Sequence, residues 1–424
     1  MKILIAAYSC NPYRGREQGR GWNYPINLAR LGHHVWVLTK IDNKQDIESE
    51  LATVFPERLN LNFIYIDPYI LLRKIDESPF HLIRKRTWQV RYLLWQQQAY
   101  KVAKNLDSEF DFDVVHHLTM GVITGGSKLW RLNKPFIMGP LGGGQVAPPK
   151  FKEYFGNLWK SEATRSFFLN HVVRFNPALR QVMRNTDLVI SSNKDTEKLA
   201  KQLGAKRTEV FLDTGLPSSF FSKDSSLDLN ICSKETVLRI LWVAVLEPRK
   251  GLSLLFEALS KIKSSVPFKL TILGDGSQRK LLPTLIEKYD LGDKVRCHGY
   301  VAWDEVFEAY KAHDVLVFPS LRDSFGAQLL EAMSQGLPLI TLNHHGAGDF
   351  VPYDSGVKVS VDKPAITVQE LADAIKLIYE KPEVRIAMGR RSYEFAIEQS
   401  WEKKTSTILE YYKDAISRAY CEKA

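Results

Sequence analysis

The chain has 424 residues, enough for two or three domains. Apolar residues make up 45% and charged residues 25%, which excludes a disordered tail, a collagen-like fibre and a coiled coil. The formal net charge is +10, and the excess lies wholly in the first half: residues 1–215 hold 31 Lys and Arg against 20 Asp and Glu, residues 216–424 hold 27 against 28.

In chain order, Lys2–Tyr8 reads as a first strand; its apolar run is too short for the core of a signal peptide, and Cys10-Asn-Pro follows in place of a small-residue cleavage site. Gly21–Leu31 reads as a helix closed by Gly32. Strands are expected at His34–Thr39, Asn60–Ile66, Val114–His117, Phe136–Met138 and Leu188–Ser191. Between them lies a basic, aromatic stretch, 70–101, with Arg73, Lys74, Arg84, Lys85, Arg86 and Arg91 beside Trp88, Tyr92 and Trp95. Its apolar positions Leu82, Val90, Leu93, Leu94 and Tyr100 are spaced roughly as one helix face. A solvated basic face, an anionic membrane surface, nucleic acid or an acidic substrate all fit such a patch. The serine-rich run 216–236 reads as a linker. A second strand–helix alternation follows, with strands at Leu238–Val245, Phe268–Leu273, Val295–Cys297, Val315–Phe318 and Leu339–Thr341. Helices are expected at Leu252–Lys263, Ser277–Tyr289, Trp303–Ala312, Phe325–Ser334, Thr367–Tyr379 and from Pro382 onward. The fold class is therefore α/β, with two doubly wound parallel sheets. Cys10, Cys232, Cys297 and Cys421 form no CxxC, and no run reaches 18 apolar residues, so a reduced cytoplasmic setting without a membrane span is expected.

In open parallel sheets ligands gather at the carboxyl ends of strands. After Val315–Phe318 the chain reads Asp323-Ser-Phe-Gly326-Ala327-Gln-Leu-Leu-Glu331. The backbone amides near Ser324, Phe325, Gly326 and Ala327 open a helix and suit a phosphate; Glu331 has two acceptor oxygens for a vicinal diol. Asp323 is either a helix N-cap or part of the site. Arg249 and Lys250 precede Gly251 after another strand, where a positive charge beside a diphosphate would offset its negative charge. Gly274 and Gly276 form a two-glycine turn, and His298 and Tyr300 flank the next strand end. In the first half, Gly15 lies in the loop 11–19, His116 and His117 end a strand, and Gly142, Gly143 and Gly144 follow another. Asp111-Phe-Asp113 precedes a strand rather than following one, so no metal is expected.

These motifs together resemble the retaining glycosyltransferases of the GT-B fold in the group 1 family, family 4. The carriers are Asp323 with Glu331-Ala-Met-Ser-Gln-Gly-Leu-Pro338, Gly32-His33, Glu247-Pro-Arg-Lys250-Gly251, Leu273-Gly-Asp-Gly276 and the terminal helix from Trp401. Two positions depart from the family pattern: Asp323 stands where a Glu is usual, and Ala244 and Val245 where an Arg is usual. The resemblance implies an acceptor domain over 1–215, a nucleotide-sugar domain over 216–399, and a helix over 400–424 that crosses back to the first. It implies a metal-independent hexosyl transfer from a nucleotide diphosphate sugar, commonly UDP-linked, to a saccharide or lipid-linked saccharide. No cofactor or nucleic acid is implied; the enzyme would be cytoplasmic, with a possible anionic membrane surface as partner. His117, Asp323 and Lys250 would be catalytic. Gly15, Arg249, Lys250, Gly274, Gly276, His298, Tyr300, Ser324–Ala327 and Glu331 would hold the donor. His116 and Gly142–Gly144 would lie on the acceptor side, and which histidine faces the donor stays open, with His117 preferred. A sugar-nucleotide epimerase and a non-catalytic relative are the alternatives.

Overall fold

In the computed structural model, which describes residues 1–54, 59–67, 81–221 and 237–421, the chain builds two parallel sheets. The first comprises β1 (Lys2–Ala7), β2 (His34–Lys40), β3 (Leu61–Ile66), β4 (Val114–Thr119), β5 (Phe136–Leu141), β6 (Leu188–Ser191) and β7 (Thr208–Val210), in the order β3-β2-β1-β4-β5-β6-β7. The second comprises β8 (Leu238–Val243), β9 (Phe268–Leu273), β10 (Val295–Gly299), β11 (Val315–Phe318), β12 (Leu339–Leu342) and β13 (Gly356–Val359), in the order β10-β9-β8-β11-β12-β13. Ile3 to Ala7 and all of β4, β5 and β11 are buried, as expected of strands covered by helices on both faces.

The strand order reverses direction between β1 and β4 in the first sheet and between β8 and β11 in the second. Helices leave opposite faces at such a point, and a crevice opens outside the strand ends. The loops after β1, β4, β8 and β11 border the two crevices, which is where the sequence motifs lie.

Several boundaries differ from expectation. The first helix runs Arg16–Arg30, five residues earlier than read, so Glu17 to Gly19 are helical and Gly15 is the N-cap. The region Ser277–Tyr289 is a 3-10 turn followed by the shorter helix Leu282–Lys288. The helix after β11 begins at Ala327, because Gly326 adopts φ 103°, a left-handed value that ends the turn before it. Strands β7 and β13 and the helix His345–Phe350 carried too few apolar residues to be read. The chain end forms two helices, Pro382–Ile397 and Trp401–Cys421.

The second of these packs on the first sheet, with Trp401, Ile408, Tyr412 and Ala415 in the same core as Ile3, Ile5 and Val114. The crossing is stitched by Leu216 N to Gln399 O at 3.1 Å and Trp401 N to Leu216 O at 3.0 Å. Gly215 is required there, since a Cβ would lie 2.7 Å from the Trp401 ring.

Of the basic stretch 70–101, residues up to Phe80 and the side chains of Arg84, Lys85, Arg86 and Trp88 lie outside the described residues. Its remaining aromatics are interior: Tyr92 is 2% and Trp95 1% exposed, while Val90 and Leu93 face outward at 54% each. Of the apolar face read from the sequence, Val90 and Leu93 are exposed, Leu94 and Tyr100 are half-buried, and the Leu82 side chain lies outside the described residues, so the buried side of the helix is the one carrying Tyr92 and Trp95 instead. Residues 222–236 of the expected linker also lie outside the described residues. Among the described residues no helix is long and apolar enough to cross a membrane.

Candidate functional site

The second sheet's crevice is built around an ion pair. Lys250 ends a 3-10 turn (Pro248–Lys250) after β8, is buried, and its Nζ contacts the Asp323 carboxylate from the loop after β11. The same Nζ lies 5.0 Å from the Phe318 ring centre. Arg249 reaches Asp323 Oδ2 at 3.8 Å and donates to Glu247 at 2.6 Å. Burial alone would raise the Asp323 pKa; Lys250, then Arg249 and the Ser324 amide, outweigh it and hold the carboxyl below its ordinary range. Asp323 is therefore an ionised partner of Lys250, not an N-cap of the helix.

The Ser324 amide donates to Asp323 Oδ1 at 2.9 Å, so it is not one of the open helix amides. The Phe325 side chain is core, 1% exposed and edge-on to Phe350 at 6.1 Å; only its backbone borders the crevice. Ala327 is the first residue of the helix Ala327–Ser334, whose positive dipole end faces the loop. One turn on, Glu331 Oε2 accepts from the Tyr310 hydroxyl at 2.9 Å.

Gly274 and Gly276 take φ values of 138° and 158° and press on the exit of β8, where a Cβ would collide with the Ala244 and Leu246 carbonyls. Their need for glycine follows from this packing. His298 is exposed on the edge strand β10, and Tyr300 is 87% exposed. Gly15 is also exposed, with nothing within 4 Å of where a Cβ would stand.

In the first sheet the two histidines point to opposite faces of β4. His116 Nε2 is 2.7 Å from the Gly139 carbonyl and Nδ1 2.6 Å from the Tyr412 hydroxyl. A carbonyl only accepts, so Nε2 carries the proton and Nδ1 accepts from Tyr412. His116 thus pins the terminal helix to the sheet and is not an acceptor-side residue. His117, 1% exposed, has Nε2 3.1 Å from the Tyr92 hydroxyl and 3.4 Å from the Met120 carbonyl in the loop after β4. Burial depresses both rings, His116 to about 3 and His117 to about 4, so both are neutral near pH 7. Asp111 and Asp113 sit at the opposite end of β4, bound to Lys134 and to the Lys2 amide.

Where the two domains meet, the triple-glycine loop touches the Asp323 loop. A Cβ on Gly142 would lie 3.0 Å from Ser324 Oγ, and Gln145 Nε2 donates to that oxygen at 3.1 Å. Asn193 Nδ2 donates to the Ser324 carbonyl at 3.3 Å. Arg165 fixes the loop from behind, donating to Gln145 O at 2.8 Å and Gly143 O at 2.9 Å. Arg322 closes the same edge on Glu162 at 2.7 Å. Sequence reading missed these residues. Gln145 and Asn193 follow strand ends and were accessible to that rule; Arg165 lies inside a helix and carried no signal.

Residues 231–395 match the family described as Glycosyl transferases group 1. A putative colanic acid biosynthesis glycosyltransferase, WcaL of Escherichia coli, is 29% identical over 238 residues, 54% of this chain and 57% of the relative. A D-inositol 3-phosphate glycosyltransferase of Paenarthrobacter aurescens is 29% identical over 42% of this chain and 44% of its own length. The chain thus spans about half the length of the curated relatives it matches. Sucrose-phosphate synthase from Thermosynechococcus elongatus has the same fold at TM-score 0.66 and 18% identity, covering 98% of this chain and 99% of its own. Anabaena HepE in complex with UDP does so at TM-score 0.62 and 17% identity, covering 98% and 100%.

Proposed function

The chain carries a group 1 glycosyl transferase domain in a two-domain GT-B fold, and from that premise we propose that it moves a hexosyl group from a UDP-linked sugar to a saccharide or lipid-linked saccharide, with retention at the anomeric carbon. The observation that carries this reading is the juxtaposition at the second sheet's switch point: Lys250, Arg249, Asp323 and the start of the helix at Ala327 lie together, opposite the glycine loop of the first domain.

The donor diphosphate sits against Lys250, Arg249 and the helix amides, which offset the negative charge growing on the leaving group. Glu331 accepts from the ribose hydroxyls. Asp323 and Ser324 border the sugar. The bond from C1 to the diphosphate oxygen breaks while the acceptor oxygen bonds C1 on the same face, and the acceptor proton passes to the departing phosphate oxygen. His117, neutral at working pH, serves as a hydrogen-bond partner near the anomeric centre rather than as an acid.

No metal enters this scheme, because protein cations face the diphosphate. The first domain receives the acceptor at Gly142–Gly144, and the enzyme works in the cytoplasm, at the inner membrane face when its acceptor is lipid-linked. Acceptor-dependent release of free UDP, an α-linked product from an α-linked donor in NMR, and full activity in excess EDTA are expected. Release of the nucleotide without any acceptor and with an unsaturated sugar product would replace transfer by an epimerase-type elimination.

A further inference from the structure

The segment 158–184 carries large apolar side chains on its outer side as well as its inner one, the outer ones set among exposed polar residues such as Asn170, His171, Asn176 and Gln181. Its inner side belongs to the first domain's core, with Leu169, Val173, Leu179 and Met183 buried. Its outer side holds Leu158, Phe167, Phe168, Val172 and Phe175, between 44% and 61% exposed. Among the described residues these three are the only exposed phenylalanines. A surface helix normally turns polar residues outward, and a cluster of five exposed large apolar side chains within 18 residues marks a contact surface.

The charge around this face indicates what covers it. From 163 to 186 the sequence holds Arg165, Arg174, Arg180 and Arg184 and no acidic residue. Arg174 stacks over the Phe175 ring at 4.7 Å. A shallow groove of about 460 Å³ is lined by Phe175, Arg180, Arg184 and Asn185, a setting for one anionic headgroup. The outward Val90 and Leu93 lie on the helix His81–Phe110, whose inner residues Tyr92 and Trp95 share the core with Leu179 and Met183.

We propose that this face docks on an anionic lipid bilayer, with Phe167, Phe168 and Phe175 entering the headgroup boundary and Arg174, Arg180 and Arg184 meeting lipid phosphates. Aromatic rings at headgroup depth together with cations give reversible attachment without a span. A second groove of about 370 Å³ runs from Gly144 past His171 and Arg174, connecting the docking face to the glycine loop. Docking deepens the reading of a bilayer-borne acceptor and rests on it only for its purpose, because the surface itself is independent of the donor site.

The test is co-sedimentation of the full chain with phosphatidylglycerol-containing and with neutral phosphatidylcholine vesicles at low and high salt. Sedimentation with anionic vesicles at low salt is expected, with about a tenfold loss on neutral vesicles or in salt. The variants Phe167→Ser/Phe168→Ser/Phe175→Ser and Arg174→Glu/Arg180→Glu/Arg184→Glu should each lose binding while UDP titration stays unchanged, which separates docking from the donor assignment. Should either variant fold poorly, hydrogen exchange of the wild-type segment 163–184 decides: slowing on vesicle addition supports docking, no change overturns it. Wild type remaining in solution with anionic vesicles at low salt, or self-association abolished by the serine variant without vesicle binding, also overturns it.

Discussion

Lys250 and Asp323 are each other's nearest charge; Lys250 is buried, while the Asp323 side chain keeps 23% of its surface exposed. Removing one partner of such a pair leaves an uncompensated charge, a loss of about 3–5 kcal/mol when fully buried. Lys250→Met should therefore lower stability by less than that amount, because the Asp323 carboxylate is partly exposed and Arg249 stays 3.8 Å from it. Lys250→Met combined with Asp323→Asn should recover most of the melting temperature and none of the transfer rate. Recovered activity in the double variant would show that the pair is only structural. Lys250 was legible because it follows a strand and precedes Gly251, and Asp323 because it lies between a strand and a helix start; that they bond each other was not, since 73 residues separate them.

At the scale of elements, the glycine loop after β5 offers two contrasting substitutions. Gly144→Ala places a methyl 2.6 Å from the Thr196 backbone, with no flexible atom to give way. It should cost about 1–3 kcal/mol of stability, the usual range for overpacking, read by urea unfolding. Gly142→Ala instead meets the Ser324 hydroxyl at 3.0 Å, across the domain boundary, and the Ser192 hydroxyl at 3.1 Å within its own domain. It should leave the unfolding midpoint nearly unchanged and slow transfer, because it wedges the glycine loop away from Ser324. Equal stability losses would contradict the separation. The sequence marked the loop by composition alone, because three glycines state that something approaches closely without saying what. Strands ending in β-branched runs were legible in the same way. Strand β7, three half-buried residues at a sheet edge, and the early start of the first helix, where Glu17 bonds the Gly121 amide, depended on tertiary partners that no local pattern encodes.

At the scale of the molecule, the terminal helix makes the chain end part of the first domain. Tyr412→Phe removes the proton donated to His116 Nδ1 and leaves a buried acceptor unpaired, costing about 1–3 kcal/mol. The pH dependence follows from the same neighbourhood. Burial lowers His116 to about 3 and His117 to about 4 from 6.5, so the unfolded chain binds protons before the folded one. Stability is fully present above pH 6.5 and is lost as pH falls through about 4, at about 1.4 kcal/mol per unit of separation for each ring. A urea midpoint that stays flat from pH 7 to 4 would contradict the neutral assignment.

Both sheets reverse order at strands that carry conspicuous loops, loops of the two domains meet where Gln145 and Asn193 bond Ser324, and the whole account depends on the second crevice holding a nucleotide sugar. Isothermal titration of UDP-glucose into the wild type and into Glu331→Ala tests this most directly. The account predicts binding by the wild type and a loss of about 1.5–3 kcal/mol in the variant, the worth of hydrogen bonds to a charged acceptor. Equal affinity in the two proteins, with both still folded, would contradict it.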